Sequence, residues 1–149
     1  GMISVGGNRY VIEYNFRLGD PETEAILARM KDDLVPLLDA AARGHLGHRS
    51  IDTDERVALT TILVSGGYPG SYEKGKKITG LNDVPKESLV FHAGTTENSG
   101  DVVTSGGRVL AVTALAGDLR AAKAISLAGA EAINFEGKYY RNDIGWEFF

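Results

Sequence analysis

The stretch YVIEYNFRLGDPETE, residues 10–24, alternates apolar and polar side chains as a β-strand does and then turns abruptly. Because successive side chains of a strand point to opposite faces, Glu13, Asn15 and Arg17 are expected to share one face. The intervening apolar side chains are expected to face the core: Ile12, Tyr14 and Phe16. A plain solvent-exposed face also explains this alternation, and the alternation by itself favours that interpretation.

The polar side chains of this stretch carry a chemistry that a solvated face does not require. Glu13 and Asn15 both offer the hard oxygen donors that Mg²⁺ prefers. Arg17 has a planar guanidinium that can bind a phosphoryl oxygen or a carboxylate. Asp20 follows in a turn that opens a helix, where free backbone amides attract anions. This spacing makes a metal and phosphate site as credible as the solvated face.

A second segment with candidate phosphate-binding residues is SGGYPGSYEKGKKITG, residues 65–80. Gly66 and Gly67 would let backbone amides approach a phosphate, and positive charge comes from Lys74, Lys76 and Lys77. The residue order is not that of a P-loop. A turn-rich loop between strands, with its lysines in solvent, is therefore the favoured interpretation.

The other polar and aromatic candidates are interpreted without catalytic roles. His92 lies in a strand pattern with no serine–histidine–acid arrangement around it, which is typical of a satisfied core or edge residue. Solvated linker or surface positions are expected for His45, His48, Asp52, Asp54 and Glu55. Core positions are expected for Tyr139, Tyr140 and Trp146.

Length and composition narrow the function classes. The chain has 149 residues, 43% of them hydrophobic, enough to bury the core of one ordinary domain or two small ones. Its net charge of −4 argues against a surface for nucleic acid. The absence of cysteine excludes disulfides, cysteine metal sites and a cysteine nucleophile. Without a membrane-length apolar run or a signal-peptide pattern, a soluble cytoplasmic protein is expected.

Hydrophobic periodicity predicts a hairpin and two helices in the first third of the chain. The segments MISV and YVIEYNF flank GGN as two strands. A helix is expected to start with Asp20 as N-cap and Pro21 in its first position. One apolar helical face is formed by Ile26, Met30, Leu34 and Leu38. Pro36 predicts that the helix breaks near Asp32 and restarts, and Gly44 is expected to end the second piece.

The period changes to two after the polar link HLGHRSIDTDER, which predicts a domain boundary. Strands are expected at RVALTTILVS, SLVFHAG, DVVTSGG and RVLAVTAL, and one helix at GDLRAAKAISLAGAEAI. An aromatic-rich tail is expected to pack onto the body. The predicted fold class is α+β, with a strand hairpin and helices in residues 1–48 and a small β-rich domain with one helix in residues 49–149. Because the chain enters a strand at once, we expect that a segment precedes it.

Five segments resemble, in order, the carboxy-terminal part of the glycinamide ribonucleotide synthetase (phosphoribosylamine–glycine ligase) family of the ATP-grasp superfamily. They are YVIEYNFRLGDPETEAILARMKDDL, VSGGYPGSYEKGKKITGL, VFHAGT, VVTSGGRVLAVTALAGDL and YYRNDIGW. The resemblance covers essentially the whole chain, and RLGDPET and GGYPG are its most specific motifs. It implies that residues 1–48 are the end of an ATP-grasp domain and residues 49–149 the carboxy-terminal domain of the ligase.

The resemblance implies an ATP-dependent carboxylate–amine ligase of purine biosynthesis. Such an enzyme joins glycine to 5-phosphoribosylamine through a glycyl phosphate and releases ADP and phosphate. By position, Glu13 and Asn15 match the ligands of Mg²⁺ or Mn²⁺, and Arg17 matches a catalytic arginine beside the transferring phosphoryl group. The glycine and phosphoribosylamine pocket is matched by Asp20, Pro21, Glu22, Gly66, Gly67 and Tyr68.

The resemblance also implies that this chain holds only part of the enzyme. The amino-terminal domain, the flexible lobe and most of the ATP-binding domain have no counterpart in it. We therefore expect that the fragment alone does not catalyse ligation and binds ATP poorly. Two alternatives stay open: a carboxylate–amine ligase of the ATP-grasp type with another substrate, and a non-catalytic module that packs against a partner lobe. An exposed apolar patch and self-association would favour the second alternative.

Overall fold

The computed structural model describes residues 1–47 and 50–148. The expected domain boundary between residues 48 and 49 lies outside the described residues, as does the interpretation of His48 as a solvated linker residue. The elements follow the order β1 (Met2–Val5), β2 (Asn8–Val11), α1 (Glu22–Arg29), α2 (Leu34–Ala42), β3 (Val57–Val64), β4 (Ser88–His92), β5 (Thr95–Asn98), β6 (Asp101–Thr104), β7 (Arg108–Ala116), α3 (Leu119–Ala132) and a 3-10 turn (Trp146–Phe148). This mixture of helices and small sheets confirms the α+β content.

A three-stranded antiparallel sheet in the order β3-β7-β4 forms the centre of the structure. Its middle strand β7 is hydrogen-bonded on both sides, with Thr113 opposite both Thr60 and Leu89. Residues 109–116 are all buried, which explains why this strand has a nearly continuous apolar sequence. The predicted strands at the positions of β3, β4, β6 and β7 are confirmed.

Helix α3 packs on the central sheet through small side chains. Its N-cap Asp118 accepts a hydrogen bond from the Ala121 amide at 2.8 Å, as expected of a capping aspartate. Buried Ser126 donates to Val112 O at 2.8 Å and contacts Thr61 Oγ1 at 2.7 Å. Thr60, which alternates with Thr61 along β3, therefore points to the opposite face of the sheet.

Local sequence signals place the break between α1 and α2 correctly. Asp33 caps α2 by accepting a hydrogen bond from the Val35 amide at 3.0 Å, and Pro36 stands in the first turn. Gly44 has φ +71° and donates to Ala41 O at 3.1 Å, so it ends α2 as predicted.

Strand β5 was not expected, because its sequence TTEN has no apolar alternation. It pairs with β6 in a hairpin that turns at Ser99 and Gly100. Both turn residues have positive φ, at 52° and 85°, the backbone geometry of a tight two-residue hairpin loop. The Ser-Gly pair was the one local signal of this hairpin in the sequence.

The predicted strand YVIEYNF is wrong beyond Val11. The hairpin register pairs Met2 with Val11, and past that pair the Gly1 carbonyl accepts from the Ile12 amide at 2.9 Å. Residues 14–17 thus lack a ladder partner among the described residues. The expected core face is wrong as well, because these side chains are exposed to 65%, 79% and 99%: Ile12, Tyr14 and Phe16.

The expected N-cap of α1 is also wrong. Pro21 occupies the cap position without a side-chain hydrogen bond, whereas the Asp20 carboxylate lies 3.0 Å from Arg108 Nη2. The Gly19 amide donates instead to Glu22 Oε1 at 2.7 Å. Asp20 therefore pairs with Arg108, which is distant in sequence, instead of capping α1.

The aromatic tail packs only in part. Phe135 is buried and Tyr140 packs against the main core cluster. Tyr139 and Trp146 are each 60% exposed, so the expectation that they are core residues is wrong. In the part of the chain that the structure describes, no helix combines the length and apolar character needed to cross a membrane.

Candidate functional site

A polar cleft of about 580 Å³ lies where the segment after β2 meets the start of β7. Its walls come from one short stretch of chain and one distant arginine: Glu13, Asn15, Arg17, Leu18, Gly19, Asp20, Glu22 and Arg108. The structure therefore brings together the metal, phosphate and turn residues that the sequence singled out between positions 13 and 22. We call this feature the polar cleft.

Glu13 and Asn15 lie side by side in the polar cleft, although the segment that carries them is not a strand. Asn15 Nδ2 donates to Glu13 Oε1 at 3.0 Å, and both side chains are exposed. Rotating the amide by 180° would present its oxygen instead. Among residues 1–47 and 50–148, no group of three or more acidic, histidine or cysteine side chains forms a metal cage. Two adjacent oxygen donors fit a Mg²⁺ ion that shares its other positions with phosphate oxygens and water.

The charges of the polar cleft determine which ligands it accepts. Three carboxylates and two guanidiniums line it, so its side chains are net negative. Arg17 turns its guanidinium toward the backbone and donates to Leu18 O at 3.2 Å. A phosphate approaching this lining is repelled unless a divalent cation offsets the carboxylates. The composition of the cleft thus favours a metal–phosphate complex over a free anion.

Arg108 is the residue of the polar cleft that sequence analysis missed. Its Nη2 lies 3.0 Å from Asp20 Oδ2 and its Nη1 donates to Asp20 O at 3.1 Å. The two residues are 88 positions apart in the chain. The available signal was a charged residue at the mouth of a buried strand, directly after the Gly106-Gly107 pair.

An apolar cleft of about 430 Å³ adjoins the polar cleft across Arg108, which lines both. We call it the tyrosine cleft, and its lining is Pro21, Thr60, Ile62, Val64, Tyr68, Pro69, Arg108, Tyr139, Tyr140, Arg141 and Ile144. Arg141 binds Asp143 through two contacts of 2.8 Å and thereby lowers the pKa of that carboxyl group. Pro21 and Tyr68, both predicted substrate residues, lie in this second cleft.

Gly66 and Gly67 serve close backbone packing. A Cβ on Gly66 would stand 2.8 Å from Gly137 O, and one on Gly67, with φ +94°, would collide with Ser71 O. Neither glycine lines the polar cleft or the tyrosine cleft. The nearby Gly107 leaves room for the Tyr68 ring against the backbone. The glycine loop therefore presents Tyr68, the one of its three predicted residues that lines the polar cleft or the tyrosine cleft.

Two lysines of the same loop are paired rather than free in solvent. Lys76 bridges Glu73 at 2.6 Å and Glu136 at 3.1 Å, which raises the lysine pKa and lowers that of Glu73. Lys77 lies 2.7 Å from Asp101 on β6. These pairs support the interpretation of the segment as a structural loop, in which Lys74 and Lys77 are exposed, as expected, and Lys76 is partly buried.

The remaining candidates keep structural roles, with one correction. His92 lies at the end of edge strand β4 and its Nδ1 is 2.9 Å from Thr95 Oγ1, which confirms a satisfied edge residue. Asp54 is not merely solvated: hydrogen bonds from Arg56 hold its pKa far below the ordinary value. Its carbonyl also accepts two hydrogen bonds from Arg29 of α1, which joins the first segment to the sheet.

Comparison with known proteins identifies the family. The model of the family "Phosphoribosylglycinamide synthetase, C domain" matches residues 58–147, more than half of the chain. The chain belongs to this family. The match confirms the resemblance of the four sequence segments that lie within it, and the matched residues include most of the central sheet, α3 and the lining of the tyrosine cleft other than Pro21.

Members of the phosphoribosylglycinamide synthetase family resemble the chain beyond this domain. The phosphoribosylamine–glycine ligase of Ralstonia nicotianae is 44% identical over 144 residues, which are 97% of this chain and 34% of that protein. The ligase of Yersinia pestis is 47% identical over 147 residues, with the same shares. The crystal structure of the Thermotoga maritima ligase superimposes with a TM-score of 0.83 at 38% identity, covering 96% of this chain and 35% of that one. The chain thus spans about a third of the length of these relatives.

Proposed function

We propose that this chain forms part of an ATP-dependent phosphoribosylamine–glycine ligase of purine biosynthesis. In this reaction a glycine carboxylate oxygen attacks the γ-phosphorus of ATP, and ADP leaves. The amine of 5-phosphoribosylamine then attacks the carbonyl carbon of the resulting glycyl phosphate, forms the amide, loses a proton and expels phosphate. Relatives of that name match 97% of the chain, and the polar cleft collects the residues expected to act on phosphate.

In this proposal Glu13 and Asn15 hold Mg²⁺ or Mn²⁺ against the ATP phosphates, and the ion supplies charge neutralisation there. Their contact of 3.0 Å and the net negative lining of the polar cleft support that assignment. Arg17 stabilises the charge that develops on the transferring phosphoryl group. Its guanidinium is exposed in the same cleft and bound only to a neighbouring carbonyl in the described contacts, so reaching a phosphate exchanges one hydrogen bond to the backbone for a contact with an anion.

The two clefts suggest where the other substrates bind. The carboxylates of Asp20 and Glu22 lie in the polar cleft and suit the ammonium group of glycine. Pro21 and Tyr68 line the tyrosine cleft, whose apolar walls suit the ribose ring of phosphoribosylamine. Gly66 and Gly67 act indirectly by shaping the loop that carries Tyr68. Arg108 borders both clefts, so the carboxylate and the amine would meet beside it.

The domain assignment completes the proposal. Residues 1–48 would be the end of an ATP-grasp domain, and residues 49–149 the ligase's carboxy-terminal domain. An acyl phosphate hydrolyses in water, whereas both clefts are open, so a further lobe must cover them during the reaction. We infer that the chain alone does not ligate glycine and binds ATP poorly. The cytoplasm, where ATP is supplied to biosynthesis, is its proposed location.

The non-catalytic alternative rests on a specific observation. Large apolar side chains of the first segment are exposed: Met2, Ile3, Val5, Tyr10, Val11, Ile12, Tyr14, Phe16, Leu18, Ile26, Leu34, Val35 and Leu38. A surface of this kind marks a protein–protein contact. The isolated chain is therefore proposed to self-associate through it, and the same surface would pack against a partner lobe in an intact ligase.

A chimera tests the proposed function. This chain replaces the matched 35% of the Thermotoga maritima ligase, and ADP release is measured with glycine and 5-phosphoribosylamine. We expect release that depends on both substrates and falls at least 100-fold in Glu13→Gln. Glu55→Gln, which alters an exposed carboxylate outside both clefts, is the matched control and should retain activity. A folded chimera without glycine-dependent release would refute the proposal, as would equal activity of Glu13→Gln and the unaltered chimera.

A further inference from the structure

Arg108 holds one residue of the polar cleft from two sides. Its guanidinium contacts the Asp20 carboxylate at 3.0 Å and the Asp20 carbonyl at 3.1 Å. A planar fork that binds both a side chain and the backbone of one residue fixes direction as well as distance. Arg108 itself is fixed because it begins β7, whose following residues are fully buried in the central sheet. The Asp20 turn is therefore tied to the most deeply buried strand among the described residues.

The segment before Asp20 carries the proposed chemistry but has few other supports, whereas helix α1 after it packs against β3 and β7. Residues 14–17 have no backbone partner in a ladder among the described residues, Ile12 and Glu13 hydrogen-bond to Gly1, and the side chains of residues 12–17 are exposed. Asp20 is followed directly by Pro21, which lines the tyrosine cleft, and by Glu22, which lines the polar cleft. A shift of this turn would thus change both clefts at once.

We propose that Arg108 is a positioning residue, which sets the distance between the polar cleft and the tyrosine cleft by clamping the Asp20 turn to β7. The effect of Arg108 on the reaction rate rests on the proposed ligase function, whereas the clamping of the Asp20 turn does not. A displacement of about 1 Å between reacting groups can lower a rate by roughly 100-fold. Charge alone does not produce this effect, because a lysine ammonium has rotatable donors and no planar fork to fix the direction of its contacts with the carboxylate and the carbonyl.

The structural part is tested on this chain by amide hydrogen exchange. The Thr23 amide, which donates to Gly19 O at 3.0 Å, reports on the turn, and the Ala122 amide, which donates to Asp118 O at 3.0 Å, is a reference at another helix start. Arg108→Ala should accelerate exchange at Thr23 at least tenfold and leave Ala122 within twofold. Arg43→Ala is the matched control, because Arg43 also makes a two-pronged contact with a carboxylate, that of Asp39, away from both clefts. Unchanged exchange at Thr23 in Arg108→Ala overturns the inference.

The catalytic part is tested in the chimera. Arg108→Ala should lower kcat about 100-fold with less than a threefold change in KM for ATP, and Arg108→Lys should recover less than a tenth of the lost rate. Full recovery by lysine, or unchanged kcat in Arg108→Ala, would show that the clamp does not position the reacting groups. An inactive unaltered chimera refutes the ligase proposal instead, and the exchange experiment still decides whether Arg108 clamps the turn.

Discussion

Replacing Gly107 by alanine should disturb the tyrosine cleft far more than the fold. A Cβ at this position would overlap the Tyr68 ring and approach Tyr72 Cε1 to 3.1 Å. The φ of Gly107 lies outside the left-handed region, so the alanine backbone itself is not strained. Tyr68 is 39% exposed and can swing into solvent. The side chain, rather than the sheet, should therefore give way.

The opposing contributions to stability cancel only in part. Moving Tyr68 off its rotamer costs about 0.5–1.5 kcal/mol. Losing its contact with Tyr72, whose ring centroid is 6.3 Å away, costs about 0.5–1.5 kcal/mol more. Replacing glycine by alanine restricts the unfolded chain and restores about 0.4–1 kcal/mol. The net destabilisation is about 1 kcal/mol, which lowers Tm by about 2–4 °C in a chain of this length.

Thermal melts and chimera kinetics together check this prediction. We expect the small fall in Tm with an increase of about tenfold in KM for 5-phosphoribosylamine, since loss of the aromatic wall removes about 1.4 kcal/mol of binding. Gly117→Ala is the matched control, because a Cβ there meets no atom within 4 Å. A fall in Tm of more than about 8 °C would show that the sheet yields instead of Tyr68. An unchanged KM would remove Tyr68 from the substrate site.

Three further predictions concern stability and association. Ser126→Ala should destabilise the chain by about 1–2 kcal/mol in urea unfolding, because a buried hydroxyl that donates to Val112 O is lost; a change below about 0.5 kcal/mol would contradict this. Glu73 and Asp143 have lowered pKa values in the folded chain, so the stability they contribute is complete above their unfolded pKa near 4 and is lost as pH falls through the lower folded values. Tm should therefore fall as pH drops below about 4, and less steeply in Arg141→Gln; equal slopes would count against the Asp143 pair. Phe16→Ser, at a 99% exposed site, should weaken self-association in sedimentation measurements with Tm unchanged within about 2 °C; an unchanged sedimentation profile would exclude this surface.

Local signals in the sequence were sufficient for most of the elements. Pro36 and Asp33 define the break between α1 and α2 within a few residues of chain, and the apolar run of β7 follows from burial on both faces. The polar cleft could also be anticipated from local sequence, because most of its lining residues fall within positions 13–22 and so short a segment cannot separate them widely. Arg108 could not be anticipated, because its contact with Asp20 depends on how the sheet folds back over 88 positions.

The alternation in residues 10–17 correctly predicted that Glu13 and Asn15 lie close together, but the strand that it also predicted ends at Val11. An alternation of apolar and polar side chains indicates that the apolar side chains are to be buried, but it does not identify the surface that buries them. In this chain the hairpin register stops at Val11, so the ladder that would hold the apolar positions in place is missing among the described residues. Tyr14 and Phe16 consequently lie in solvent, while Glu13 and Asn15 still reach the polar cleft. The polar side chains of the pattern thus line a cleft within the chain, whereas the apolar side chains remain exposed, which is typical of a protein–protein contact surface.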